Sequence, residues 1–343
     1  MTKNTESLND KLQLVRFCIT GLEKFKRLSD EEVVMEFRNC HQKLQHVKNS
    51  VIESVCMNME ALVCDELRTL KTVSKFAFLN LIEKVESSYK KVKFDLKKLE
   101  LSHEVTVQDA GIRGMIFLSS ESVLLASRTG PKRILVYSVK ELKFEHEVQT
   151  GDFIPFDVRL IGKLLYVSSE FSDVIQVLRI DDNYSEVFSF SVGKQCFGMD
   201  VYDDHIYIAC LSAIIKVDMK GNRIGEYPTS GDAKYVVVKK NGHIVYSSQS
   251  NNTVTAISVQ GDEVWSYSSP NLKYPYGLEK DSSDNIYVTG AHSNDVHILS
   301  IDGNLLRRFI NLTNPVLFRL NEEQNIVFVC CEGNNIKIFD VNS

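Results

Sequence analysis

The chain has eight histidines and eight cysteines, the residues best equipped for metal or nucleophilic chemistry. The histidines are His41, His46, His103, His146, His205, His243, His292 and His297. No two form the H-E-x-x-H pair that aims two imidazoles at one zinc ion from one helix face. The cysteines are Cys18, Cys40, Cys56, Cys64, Cys196, Cys210, Cys330 and Cys331. They include no C-x-x-C, so neither a zinc knuckle nor a dithiol redox motif is expected. No G-x-S-x-G turn presents a serine nucleophile, and no Gly-rich loop is spaced to cradle phosphate. The residue types left over are aromatics, asparagines and isolated charges in turns, which suit recognition. No catalytic residue, metal site or cofactor is expected.

The elements that place those turns differ along the chain. Of 343 residues, 43% are apolar and 25% charged, as in soluble globular proteins. All six prolines lie at or after Pro131, and Gly21 is the only glycine in the first 100 residues. Residues 1–100 carry a net charge of +3 and residues 101–343 one of −8, together the chain's −5. The first 20 residues show no apolar core behind a basic start, so no signal peptide is expected. No window approaches 18 consecutive apolar residues, so no membrane span is expected, and the thiol-rich chain is read as cytoplasmic.

The second part repeats. Six hairpins align on residues 114, 157, 198, 236, 277 and 317, at spacings of 43, 41, 38, 41 and 40. RGMIFLSSESVLLAS from Arg113 and YGLEKDSSDNIYVTG from Tyr276 are two copies. Each hairpin is followed by a third apolar run, such as TVTAISV (253–259) or DVHILSI (295–301), then a Gly turn, then a fourth run such as EVWSY (263–267). Four short strands per period of about 40 residues is the pattern of a β-propeller blade. The alternative is a β-sandwich, which would need neither a fixed period nor equivalent hairpins. The sixth unit lacks a fourth strand, and an open blade would leave a bare edge. LSHEVTVQ (101–108) alternates with Leu101, His103, Val105 and Val107 on one face. It is expected to pair beside NIKIFDV (335–341) and close the ring.

The first part reads as helical. LSDEEV (28–33) fits a capping box, with Ser29 and Glu32 exchanging hydrogen bonds and Leu28 and Val33 as the staple. Phe37, Cys40, Leu44, Val47 and Val51 form one apolar stripe. Phe78, Ile82, Val85, Tyr89, Val92, Leu96 and Leu99 form a second, spaced 4-3-4-3-4-3. A narrow stripe on a helix on the order of 100 Å long, at about 1.5 Å per residue, needs a partner to bury it. The expected organisation is therefore a short helical segment over 1–28, a dimerising coiled coil over 29–100 and a six-bladed propeller over 101–343. A helical hairpin folded on itself is the alternative for 29–100.

The repeat units resemble NHL repeats, and the architecture is similar to the coiled-coil-plus-propeller half of the tripartite-motif (TRIM-NHL) proteins. The resemblance is carried by Pro275, Gly277, Leu278, Asp284, Asn285, Ile286, Tyr287 and Val288, then by Ser293, Asn294, Val296, Ile298, Ile301, Asp302 and Gly303. It covers nearly all of 30–343. Thr289-Gly290 replaces the Asp usual after the second strand, and the Arg usual after the paired Asn is absent. Cys18, Cys40, His41, His46, Cys56 and Cys64 lack the spacing of the RING and B-box zinc sites. Ubiquitin-ligase chemistry is accordingly not carried over. The resemblance implies a non-enzymatic scaffold linked to ubiquitin pathways, paired with itself or with related tripartite-motif proteins. Two other readings follow from it: the substrate-recognition part of a ubiquitin ligase, and an RNA-binding regulator.

If the propeller forms, its channel mouth is expected at the starts of the first strands: Arg113, Pro155, Cys196, Lys234, Pro275 and Pro315. No carboxylate stands among them, although Asp157 and Asp200 lie just inside, so metal-dependent hydrolysis is not expected. The −8 charge of the propeller opposes tracking a phosphate backbone, which disfavours RNA. Partner proteins are expected on the face formed by the loops joining fourth to first and second to third strands. The residues proposed for that face are Arg128, Phe153, Asp173, Lys194, Asn251, Tyr274, His292, Asn294 and Asn334, with Tyr274 and Phe153 as anchors because aromatics dominate interface energetics.

Overall fold

Three equivalent turns show how the chain repeats. In each, a glycine takes a left-handed conformation, with φ of +85° at Gly221, +92° at Gly261 and +80° at Gly303. The glycine N–H donates to the carbonyl three residues back, at 3.0 Å to Asp218, 3.0 Å to Ser258 and 2.9 Å to Ser300. A side chain at Gly303 would also collide with Trp265, whose ring lies 2.5 Å from the position of its Cβ. Only glycine accepts both demands.

The computed structural model describes residues 99–107, 111–128, 132–141, 143–322, 324–332 and 334–341. Among them are 24 strands in six four-stranded antiparallel sheets. The strands are β1 (Leu99–Thr106), β2 (Ile112–Phe117), β3 (Ser122–Ser127), β4 (Arg133–Ser138), β5 (Phe144–Gln149), β6 (Val158–Ile161), β7 (Leu164–Val167) and β8 (Val174–Arg179). Next come β9 (Ser185–Ser191), β10 (Cys196–Tyr202), β11 (His205–Cys210), β12 (Ala213–Asp218), β13 (Arg223–Pro228), β14 (Val236–Val238), β15 (Ile244–Ser248) and β16 (Thr253–Ile257). The last are β17 (Glu263–Ser268), β18 (Pro275–Lys280), β19 (Ile286–Gly290), β20 (Asp295–Leu299), β21 (Leu305–Phe309), β22 (Pro315–Asn321), β23 (Ile326–Cys331) and β24 (Asn335–Val341).

Blades one to five are the consecutive sets β2–β5, β6–β9, β10–β13, β14–β17 and β18–β21; blade six is ordered β22-β23-β24-β1. Burial falls from the middle of a blade to its rim: β20 is buried throughout, whereas β21 leaves Leu305 and Leu306 exposed. The core lies between neighbouring blades, as in the cluster joining Tyr166, Ile175 and Val177 of blade two to Ile208, Ile215 and Val217 of blade three.

The ring closes as expected, with β1 antiparallel to β24 and Val105 opposite Ile336. Its register differs from the expectation. A bulge between Leu101 and His103 breaks the alternation, so Leu99, Ser102 and Val105 turn inward while Leu101 is 52% exposed. Bulges reset the facing of a strand in this way.

The expected mixed class, a long helix followed by a propeller, is corrected. The described residues form an all-β propeller with no helix among them. Leu99, placed at the end of the helical stripe, is the first residue of β1 and faces Val341. The heptad spacing at Leu99 is overridden by the open edge of blade six, whose unpaired N–H and C=O groups take β1 as their partner. Phe78, Ile82, Val85, Tyr89, Val92 and Leu96, and the segments 1–28 and 29–98, lie outside the described residues.

Candidate functional site: the channel mouth

The first strand of each blade lines the axis. Six equivalent positions, Arg113, Phe156, Phe197, Tyr235, Tyr276 and Val316, form the outermost ring. The Phe156 ring lies 5.7 Å from that of Phe197, 5.5 Å from Tyr235 and 6.4 Å from Tyr276, and Tyr235 is 5.5 Å from Tyr276. Phe156 of blade two and Tyr276 of blade five come from opposite sides, so these rings fill the axis and leave no open channel. The Tyr235 hydroxyl donates across it to the Arg113 carbonyl. Burial pushes the Tyr235 hydroxyl well above its ordinary pKa and that of Tyr276 to about 12, so both remain neutral donors. The sequence reading of the mouth holds at Arg113 and falls one residue early in the other five blades. Pro155, Cys196, Lys234, Pro275 and Pro315 each precede the residue that turns inward.

Three residues deeper, the same strands present Ile116, Arg159, Asp200, Val238, Glu279 and Arg319. Here the charges are compensated. Arg159 Nη1 lies 3.0 Å from Asp157 Oδ1, Arg319 Nη1 lies 3.5 Å from Glu279 Oε2, and Lys280 Nζ lies 2.8 Å from Asp200 Oδ2. Arg319 Nε and Nη1 also donate to the carbonyls of Met115 and Leu278, at 3.1 and 3.0 Å. Asp157 and Asp200 each accept an N–H of the next blade's first strand, from Met199 at 2.8 Å and Val238 at 2.7 Å. Burial pushes the Glu279 carboxyl up, against the pull of Arg319. Among the described residues no group of three or more His, Cys, Asp or Glu is placed to hold a metal ion.

Above the aromatic ring, residues just past the second strands form a collar: Arg128, Leu211, Gln249, Ala291 and Glu332 directly after β3, β11, β15, β19 and β23, and Glu170 three residues after β7. Arg128 pairs with Glu170 through Nε and lies 5.8 Å from the ring of Phe171, which is 61% exposed. The Arg113 guanidinium lies 5.5 Å from the Tyr276 ring and 3.7 Å from Glu332. Lys234 places its ammonium 3.6 Å from the centre of the Phe197 ring. Burial lowers the Lys234 pKa, opposed by Glu170 and Asp232.

Of the residues expected on this face, Tyr274, His292, Asn251 and Asn294 are exposed and Arg128 is half-buried. Tyr274 stacks on His292 at 4.3 Å and on Tyr276 at 6.3 Å, and is 37% exposed. The asparagines and the remaining residues serve the scaffold. Phe153 packs into the core cluster of blades one and two. Asp173 accepts from the Ser191 hydroxyl and, through its carbonyl, from the Val192 N–H at 2.8 Å. Lys194 donates to Glu226 at 2.6 Å. The Asn251 amide donates to the Ser230 carbonyl. Asn294 Oδ1 accepts the Asn314 N–H at 2.8 Å, and the Asn334 carbonyl accepts the Val107 N–H at 2.8 Å. Asp173, Asn294 and Asn334 join their blade's second loop to the next blade's entry, and Asn251 ties the second loop of blade four to that blade's own entry. Phe171, Glu170, Gln249, Tyr276 and Glu332 escape the sequence reading.

No known family's sequence profile matches the chain, and no curated protein does. Solved structures do. The WD40 β-propeller domain of Doa1 is 13% identical over 72% of this chain and 98% of that one, with a TM-score of 0.57. A catalytically inactive virginiamycin B lyase from Staphylococcus aureus with quinupristin is 13% identical over 71% and 89%, at 0.54. Kuenenia stuttgartiensis hydrazine synthase is 15% identical over 69% and 98%, at 0.53. At these identities the likeness is one of fold, the β-propeller.

Proposed function

We propose that this propeller is a non-enzymatic recognition module that grips partner proteins on its mouth face. The observation that carries this reading is the closed axis. Phe156, Phe197, Tyr235 and Tyr276 fill it and are themselves buried, so a ligand meets a closed surface rather than a pore. Around that surface stand the Tyr274–His292 stack and the Phe171–Arg128 pair, both of types that anchor protein interfaces. The compensated charges beneath favour a structural role for the carboxylates, and no nucleophile with a partnered base stands at the mouth. The link to ubiquitin-dependent assemblies rests on the NHL-like repeat residues 275–303 and makes this the partner-selecting component. The propeller's net −8 disfavours RNA.

The test is quantitative crosslinking and mass spectrometry of the full chain in cells, comparing wild type with Tyr274→Ala and Phe171→Ala. Both side chains are exposed, so folding is retained. A defined set of crosslinked proteins that falls together in both variants supports the reading. Partners unchanged in both variants, or RNA as the dominant crosslinked species, would overturn it.

A further inference from the structure

The mouth gathers hydrogen-bond donors that the fold does not use. Arg113 and Gln249 are each 7% exposed, and Arg113 Nε and Gln249 Nε2 have no hydrogen-bond partner. Lys234 Nζ, above the Phe197 ring, has no carboxylate or carbonyl within hydrogen-bond or ion-pair reach among the described residues. Buried donors left unpaired are costly, so folded proteins rarely keep them without a use. The nearby acids are mostly engaged. Asp232 Oδ1 accepts from Ser248 Oγ at 3.1 Å, Ser250 N at 3.0 Å and Ser250 Oγ at 2.6 Å. Glu170 is held by Arg128, and Glu332 is 55% exposed at 3.7 Å from Arg113. Lys234 therefore has no direct carboxylate partner, although Glu170 and Asp232 act on it at longer range, and the same mouth holds two N–H donors without hydrogen-bond partners, Arg113 Nε and Gln249 Nε2.

We propose that this mouth binds a single carboxylate carried on a partner's peptide segment, received by Lys234, Arg113 and Gln249. The proposal rests on the mouth face being the protein-binding surface. A carboxylate presents about four lone-pair positions and no donor, matching a site with one free ammonium and two free N–H groups. A polyanion does not match, since Glu170 and Glu332 stand in the same collar. The carboxylate is supplied either by an internal Asp or Glu or by a chain's C-terminus. The exposed Phe171 and Tyr274 rings then take the neighbouring apolar part of the segment.

The experiment uses the full chain and three fluorescein-labelled Gly-Ser peptides: one with a central Glu and amidated end, one with Gln in its place, and one with only a free C-terminal carboxylate. Fluorescence anisotropy is expected to show one carboxylate peptide binding about tenfold more tightly than the Gln peptide, as charge-assisted hydrogen bonds allow. Lys234→Gln and Gln249→Leu each abolish that preference while circular dichroism shows the fold retained, and Glu332→Gln strengthens it. Whether the Glu peptide or the free-end peptide prevails identifies the source, and either upholds the site. Equal binding of all three, or a preference that survives Lys234→Gln, overturns it. If the cellular partners fall with Tyr274→Ala but not with Lys234→Gln, the recognition face stands and the carboxylate site falls.

Discussion

The outer and inner rings of the channel are built from the same strand positions, three residues apart, and treat charge differently. Inside, Arg159, Arg319 and Lys280 each face a carboxylate, and Asp157 and Asp200 tie one blade to the next. At the mouth, Lys234 Nζ, Arg113 Nε and Gln249 Nε2 make no hydrogen bond, although Glu332 lies 3.7 Å from the Arg113 guanidinium. A buried charge with a partner holds a structure together, and losing one member strands the other. A donor with no partner contributes nothing to folding and is available to a ligand. The separation is one of degree, since Arg319 Nη2 of the inner ring also lacks a hydrogen bond and keeps only a 3.6 Å ion pair with Asp157.

The largest effect should come from breaking the inner ring. Asp157→Ala strands Arg159 and leaves the Met199 N–H without an acceptor, so urea unfolding should show a loss of about 3–5 kcal/mol. A variant as stable as wild type would remove the distinction between the two ends. Next is the layer between the rings, where blades approach most closely. A Cβ at Gly277 would sit 2.6 Å from the Val316 carbonyl oxygen, a backbone atom that cannot swing aside. Gly277→Ala should cost about 1–3 kcal/mol, as overpacking does. At the mouth, Lys234→Gln gives up only the cation–π contact with Phe197 and should cost about 0.5–1 kcal/mol. A loss as large as that of Asp157→Ala would mean that the ammonium has a structural partner after all.

The smallest effect is one of pH. Burial raises the Glu279 carboxyl pKa in the folded chain. The folded state then binds a proton more tightly than the unfolded state does. Its contribution is present below the ordinary carboxyl value of about 4.3 and is lost as pH rises through the raised folded value. Glu279→Gln should lack that decline, so the stability difference from wild type should vary with pH across this window and be flat above it. A difference independent of pH would show that Arg319 fully offsets burial at this position.

The blade pattern was legible because its determinants are local. The Gly221, Gly261 and Gly303 turns, and the apolar runs between them, depend on residues within a few positions of one another. The closing strand was legible for a related reason, since an unpaired edge requires a partner and only one segment alternated suitably. Its facing was not, because the bulge after Leu101 answers to β24, more than 230 residues away in sequence. At the site, Tyr274, His292 and Arg128 were found by residue type and loop position. The asparagines carry a second task that residue type did not show, because the same loops that offer side chains to partners also join the blades. At Asn294 the neighbouring blade supplies the N–H that occupies the side-chain oxygen.

The sequence by itself determined the number of blades, their four-strand make-up and the means of closure, because hairpins and turns are short-range events repeated six times. Tertiary structure alone decided which charges are compensated and which donors remain idle. Arg113, Lys234 and Gln249 come from blades one and four, and whether each finds an acceptor depends on how six first strands converge on one axis. It also decided that Leu99 extends as strand, because the open edge of blade six has stronger unmet hydrogen-bonding demands than an apolar stripe has on its last residue.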